Sequence, residues 1–359
     1  SERPRHRRLR GPPRRGAARL GATLRRERCA QGRSRSANPG GRRDGEVAVQ
    51  RFVRRSNLML PITIQRFVEK AWRCHADAIT LDLEDGVPST RKVEARSAVR
   101  QAIPIVGRGG AEIFVRVNKP YLYADLEASV WPGLTGIMLP KVESAADVTE
   151  TAGYLDDLER RRGLEIGSLQ LIVLLESALG VWNIRDIITA SSRVTQVGLG
   201  ESDLCRQCGI VATEEHDPFV YARGRVVIEG TAAGVQPIGL AHPVSAVPRL
   251  LPADDIRRLA TDARNLGFKG TICPHPSWVE PVNAAFSPTP EQVAYYTKVR
   301  EVFAEGVARG TAAVPLDGKM IDVPVDEWAK VVLELAAMCR ARDQQKQQAR
   351  ERAMAMGQG

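Results

Sequence analysis

Residues 78–96 read AITLDLEDGVPSTRKVEAR. Five residues of strand character, Ala78–Asp82, run into a knot of carboxylates, Asp82-Leu83-Glu84-Asp85. A Gly-Val-Pro-Ser turn follows, and a helical pattern begins near residue 90. An apolar run that ends in charge and hands over to a helix is one βα unit. Outward from it the unit recurs: runs of the same kind lie at 57–61, 112–117, 136–141, 170–176, 194–199, 235–240 and 270–274. Their nearly unbroken apolar character is that of parallel strands covered on both faces. Segments of helical period fall between them, among others 63–75, 90–105, 144–162, 217–233 and 252–267. Eight strands alternating with helices over about 230 residues have the size and rhythm of a (β/α)8 TIM barrel. A doubly wound open sheet would need a glycine-rich turn after the first strand, and Pro61-Ile62-Thr63 is not one.

The reading places the barrel over 47–290 and a C-terminal helical lid over 291–345, with a frayed Gln-rich tail over 346–359. Two helices, 291–308 and 325–345, flank the Pro/Gly-containing segment VPLDGKMIDVP (314–324). Additions of this kind to a barrel are where lids and subunit contacts arise.

The polar residues fall at the strand ends. Strand two ends in Asp82, Glu84 and Asp85, strand three in Arg116, strand four in Lys141 and strand five in Glu176, and Asp203 follows strand six. In a barrel all of these reach the C-terminal rim, where the fold builds active sites. Taken singly, Asp82 or Glu84 could cap the next helix, Arg116 could pair with either and Lys141 could lie over the rim; charged ends on consecutive strands point to a site. Carboxylates with few His or Cys companions favour a hard cation, and magnesium binds one or two carboxylates while leaving positions for substrate and water. Glu176 and Asp203, on adjacent strand tips, can bracket one ion. Arg116 offers a fork for a substrate carboxylate or a developing oxyanion. A cation chelated by a 2-oxo or 2-hydroxy acid points to aldol- or Claisen-type chemistry.

In this order and spacing, Arg55-Ser56, the 78–96 segment, FVRVN (114–118), GIMLPKVES (136–144), VLLESALGV (173–181) and GLGESDL (198–204) resemble the HpcH/HpaI aldolase/citrate lyase superfamily over residues 53–340. The branch is that of the citrate lyase beta subunit, malyl-CoA lyase and citramalyl-CoA lyase. The resemblance implies a carbon–carbon lyase that cleaves or forms a 3-hydroxyacyl-CoA, with a 2-oxo acid and an acyl-CoA as the other partners. It implies Mg2+ on Glu176 and Asp203 and substrate binding by Arg116; Arg55 and Lys141 are further substrate-binding candidates, and Glu84 and Asp85 are assigned catalytic support by holding metal-bound waters or Arg116. Pyruvate aldolases of the superfamily carry a His where this chain has Asp85, so the DLED version resembles the CoA-thioester lyases. DGKMIDVP (317–324) resembles the lid motif in which the residue matching Asp322 acts as acid or base in a neighbouring subunit's site, implying a homo-oligomer, a trimer or hexamer. A CoA-thioester hydrolase or a malate-synthase-like condensing enzyme would use the same site. Two departures, Thr271–Cys273 followed by Pro274-His275-Pro276 and the non-acidic segment 240–252, lie where the thioester carrier would approach.

Bulk composition excludes other classes. Residues 1–46 hold fifteen Arg against four acidic residues (Glu2, Glu27, Asp44, Glu46), so this segment exceeds the whole chain's formal charge of +10 and leaves the remainder at −1. A non-catalytic or nucleic-acid-binding protein would have to rely on that segment alone, which has no aromatic residue to stack on bases. Its Arg, Gly, Pro and Ser content reads as a disordered, dispensable extension. A transit peptide for the mitochondrial matrix is the competing reading, which Pro12 and Pro13 disfavour by interrupting a helix. No apolar run reaches the roughly 18 residues of a membrane span. The lone Cys205/Cys208 pair completes no zinc site, and the six Cys read as reduced thiols of a cytoplasmic protein.

Overall fold

The computed structural model describes residues 52–213, 216–243 and 250–356. The basic segment 1–46, part of 240–252 and the last three residues lie outside the described residues. Eight parallel strands form one sheet: β1 (Ser56–Pro61), β2 (Ala78–Asp82), β3 (Glu112–Arg116), β4 (Gly136–Leu139), β5 (Gln170–Leu175), β6 (Val194–Leu199), β7 (Gln236–Ile238) and β8 (Thr271–Cys273). The order is β7-β6-β5-β4-β3-β2-β1-β8. The remaining edge, β7 to β8, is joined by Gly239 N donating to Gly270 O (2.9 Å) and Lys269 N donating to Pro237 O (2.9 Å). The sheet is the barrel that the strand rhythm predicts.

Strand period two sorts the residues. Ile79, Leu81, Ile113, Val115, Leu171, Val173 and Leu175 pack in the layer between sheet and helices. Their alternates Ala78, Phe114, Met138, Ile172, Leu174 and Ile238 fill the barrel. Continuing the inward parity up each strand places Asp82, Arg116 and Glu176 at the rim. Below the inner layer Arg54 closes the barrel, donating to Glu112 Oε2 (2.7 Å), Gln196 Oε1 (2.9 Å) and Gln170 Oε1 (3.0 Å).

The surrounding helices are α1 (Gln65–Ala71), α2 (Lys92–Val106), α3 (Leu122–Ser129), α4 (Ala145–Arg161), α5 (Ala178–Trp182), α6 (Ile184–Thr189), α7 (Glu201–Cys208), α8 (Val220–Ala233), α9 (Ala253–Leu266) and α10 (Val279–Ala285). A Ser144/Asp147 capping box starts α4. Beyond the barrel come α11 (Pro290–Ala308), a hairpin of β9 (Val314–Leu316) and β10 (Lys319–Ile321), and α12 (Val323–Met356). Asp317-Gly318 makes the hairpin turn, the residue pair that two-residue loops select. Val299, Phe303, Val314, Leu316, Ile321 and Ala329 give this appendage its own small core.

Two expectations change. The helix expected over 325–345 does not end there: α12 runs to Met356, because its basic residues find seats under the barrel. Lys346 Nζ, buried, meets Asp77 Oδ1 and donates to His75 O (2.7 Å). Arg55 is likewise not at the rim. It precedes β1, and its buried fork grips Asp77 (2.8 and 3.0 Å) and reaches Asp343 of α12 and Ser287. A residue before a barrel strand lies at the N-terminal face, where conserved chemistry serves stability, so Arg55 is withdrawn as a substrate ligand.

Candidate active site

At the C-terminal rim the register pairs Asp82 with Arg116. The Arg116 guanidinium binds Asp82 bidentately, Nε to Oδ1 and Nη2 to Oδ2, both 2.7 Å. Asp82 is itself fixed by the amides of Glu84 and Gly86, each at 2.8 Å. A side chain at Gly86 would strike the Asp82 carboxylate, its Cβ falling 2.4 Å from Oδ2. Arg116 Nη1 stands 3.0 Å from Glu84 Oε2. Glu84 Oε1 meets Lys141 Nζ, which also lies 3.4 Å from Asp203 Oδ2 and 3.8 Å from Asp85 Oδ1. Lys141 adopts a left-handed backbone (φ 54°), and Lys119 Nζ donates to its carbonyl (2.9 Å). A non-glycine residue held in that region marks local strain of the sort that gathers at functional sites. Lys92 ties the carboxylate loop from behind through Leu83 O, Glu84 O and Asn118 Oδ1, all at 2.7 Å.

The Glu176 and Asp203 carboxyls lie side by side, close enough for each to shift the other's proton affinity. Glu176 is buried, and burial pushes its carboxyl up to about 8, helped by the charge of Glu84 and the hydrogen bond to Asp203. Burial also opposes ionisation of Asp203, but hydrogen bonds from Arg206 (2.7 Å) and Glu176 and the Lys141 charge outweigh it and hold this carboxyl below its usual range. Glu84 is raised by burial, which Arg116 and Lys141 counter only in part. Gly200 makes room for the pair: a side chain there would meet the Glu176 carboxyl carbon at 2.6 Å.

The structure thus brings Glu84, Asp85, Arg116, Lys141, Glu176 and Asp203 together. Asp85 is at the solvent edge and pairs with Lys141, not directly with Arg116. Asp322 makes no hydrogen bond or ion pair with this cluster among the described residues; its carboxylate accepts from the Val325 amide (3.3 Å) at the start of α12. Sequence reasoning offered Asp82 or Glu84 as a partner of Arg116 without choosing, and the structure gives it both; it missed Gly86 and Gly200 as the spaces that admit the carboxylates. The signal for Asp82 was its in-register position beside Arg116 in parallel strands.

The donor set fits a divalent cation. Two carboxyls stand side by side, one of them buried and raised in proton affinity, and a hard cation would satisfy both at once. Among the described residues no group of three or more His, Cys, Asp or Glu side chains is arranged to hold a metal. An ion on Glu176 and Asp203 would therefore complete its shell with water and substrate, the habit of magnesium.

Fold and rim together define a barrel protein with an acidic site at its C-terminal rim, and comparison with known proteins places it among the carbon–carbon lyases. Residues 55–276 match the HpcH/HpaI aldolase/citrate lyase family, and the chain belongs to that family. It is 30% identical over 287 residues to the citrate lyase subunit beta of Leuconostoc mesenteroides subsp. cremoris, covering 79% of this chain and 93% of that one. It is 28% identical over 298 residues to the mitochondrial citramalyl-CoA lyase of Rattus norvegicus, covering 79% and 86%. Among solved structures it resembles CitE from Mycobacterium tuberculosis in complex with magnesium, acetoacetate and coenzyme A, with a TM-score of 0.62 and 26% identity over 79% of this chain and 98% of that one. No helix among the described residues is long and apolar enough to cross a membrane.

Proposed function

We propose that this protein is a magnesium-dependent lyase that cleaves, or forms, a 3-hydroxyacyl-CoA such as malyl-, citramalyl- or citryl-CoA, with a 2-oxo acid and an acyl-CoA as products. The observation that carries this reading is the adjacent Glu176 and Asp203 carboxyls standing beside an Arg116 fork that Asp82 and Glu84 hold in place. The magnesium-bound structure of the Mycobacterium tuberculosis relative supports the choice of cation.

Glu176 and Asp203 would hold the ion, which supplies charge to polarise the substrate's hydroxyl and carboxylate. Arg116, preorganised by Asp82, binds the carboxylate and stabilises charge on the oxygen that becomes the ketone. The hydroxyl proton leaves to water at the open rim, the oxygen forms the carbonyl, and the carbon–carbon bond breaks with its electron pair entering the thioester enolate. Glu84 and Lys141 steady Arg116 and Asp203 and keep the cluster's charge ordered. Asp322, contributed by a neighbouring subunit of a trimer or hexamer, gives the proton that converts the enolate to the acyl thioester. The helical segment 291–345 serves as the lid that presents it.

The test is direct. Purified protein is incubated with magnesium and each candidate thioester, and both 2-oxo acid and free thiol are followed. Equal release of 2-oxo acid and acyl-CoA supports the lyase. Free coenzyme A without a 2-oxo acid identifies a hydrolase, and inertness toward all three substrates rejects the proposal.

A further inference from the structure

Asp203 does not stand on a strand. It rides on the first turn of α7, a helix of eight residues whose buried contacts are only Leu204 and Cys205. So short a helix gains little rigidity from its own hydrogen bonds. Its cap residue Gly200 is tied to the β5 tip by the amide of Gly200 donating to Leu175 O (3.0 Å), but a single backbone bond leaves the direction of the first turn, and so of Asp203, to be set by side chains.

Arg223 of α8 does this. Its side chain is 2% exposed, and each arm of the guanidinium goes to a separate part of the chain. Nη2 pairs with Glu201, two residues before Asp203. Nη1 pairs with Asp217, whose Oδ1 also accepts from the Phe219 amide (3.0 Å) at the entry to α8. Nε donates to the carbonyl of Leu240 (2.7 Å), just past β7. A planar fork with fixed donor directions can hold three acceptors in one geometry, which a lysine cannot.

We propose that Arg223 is a positioning residue for the Asp203 half of the cation site: through Glu201 it locks the first turn of α7 to α8 and to the β7 tip, so that Asp203 faces Glu176. This rests on the assignment of Glu176 and Asp203 as cation ligands. Residues that orient ligands from behind change metal affinity by about 10–100-fold when replaced.

The experiment is magnesium titration by calorimetry on the full chain, with thermal melting in parallel, for wild type, Arg223→Lys, Glu201→Gln, Asp203→Asn and Arg55→Lys. Arg55 is an equally buried arginine hub at the opposite end of the barrel. Arg223→Lys is expected to weaken magnesium about 10–100-fold, and Glu201→Gln to weaken it in the same direction. Arg55→Lys is expected to lower the melting temperature and leave magnesium affinity unchanged. A folded Arg223→Lys protein with wild-type affinity overturns the proposal. If that variant does not fold, wild-type affinity in folded Glu201→Gln overturns it equally. An Arg55→Lys protein that loses affinity in proportion to stability also overturns it, since the effect would then be general softening. Absence of magnesium binding in the wild type defeats the cation assignment and this inference with it. Binding that Asp203→Asn abolishes but Arg223→Lys preserves defeats the inference alone.

Discussion

Arg116 and Arg55 make the same contact at opposite ends of one barrel, and the ends are not alike. Each arginine grips an aspartate on or beside β2 with two nitrogens, Asp82 at the rim and Asp77 below. Below, the contact is closed on all sides. Lys346 and the Arg55 amide also reach Asp77, and α12 covers the group. Burial opposes ionisation of Asp77, yet Arg55 and Lys346 hold its carboxyl down to about 2. At the rim the same pair is surrounded by further carboxylates, and there the balance tips the other way, with Glu176 keeping its proton up to about 8. Paired and covered, an Arg–Asp contact is a fastener; left among surplus acids beside solvent, it is part of a site that still wants a cation.

That contrast can be broken at its strongest point. Glu176→Gln or Asp203→Asn is expected to abolish magnesium-dependent turnover while melting stays near wild type. Asp77→Asn is expected to cost about 3–5 kcal/mol, because it strands buried cations, with turnover per folded molecule preserved. Kinetics and chemical denaturation on the same preparations decide it; a rim variant that unfolds, or a bottom variant that is stable but dead, erases the distinction.

Next in size is Asp322. Replacing it with Ala is expected to lower cleavage by ~10²–10⁴, the usual span for one general acid or base, with magnesium and 2-oxo acid binding retained. Mixed oligomers of Asp322→Ala and Glu176→Gln chains should regain part of the activity. Confirmed mixed oligomers that stay inactive would reject the shared site.

A smaller effect is set by Glu176's proton. Its folded value lies above that of an ordinary glutamate, so the metal-free fold favours the protonated form and loses stability as pH rises from the ordinary carboxylate range toward 8. Glu176→Gln should therefore be the more stable metal-free protein at pH 9, with the advantage shrinking toward pH 4.5. Cation binding expels that proton, so magnesium affinity should climb about tenfold per pH unit up to roughly 8 and then level off. An affinity flat across that window would show that Glu176 carries no such proton. The smallest expected effect is deletion of residues 1–46, whose composition offers no core; unchanged melting and rate are expected, and a loss of several degrees would show that the segment packs on the barrel.

The barrel and most of its rim were legible because period two and strand-end position carry the information locally. Once 78–82 and 112–117 are strands, Asp82 and Arg116 must point into the same mouth. Their pairing was legible only as one of two alternatives, Asp82 or Glu84 for Arg116, since the bidentate choice depends on which residues fall in register across the sheet. Arg55 was misplaced by following motif order instead of chain direction; standing before its strand, it belongs below. The length of α12 was hidden because its Gln- and Arg-rich end looks solvated until Asp77 and His75 O supply buried partners. Helices α5, α6 and α7 are too short for a repeat of apolar positions to announce them.

The join between β7 and β8 has a further meaning for how the molecule breathes. Strands β1 to β6 are laced by ladders, with one register shift between β5 and β6 at Leu171/Ile172, whereas this edge is carried by two backbone hydrogen bonds. Local opening follows the weakest lacing, so the amide protons of Gly239 and Lys269 should exchange with solvent well ahead of those of Leu81 or Val173. The barrel then has a stiff arc and a compliant one. Glu84, Arg116, Lys141 and Glu176 all stand on the stiff arc. The carrier of the proposed thioester, entering over β7 and β8, would be accommodated there by small excursions of the wall while Glu84, Arg116, Lys141 and Glu176 keep their places.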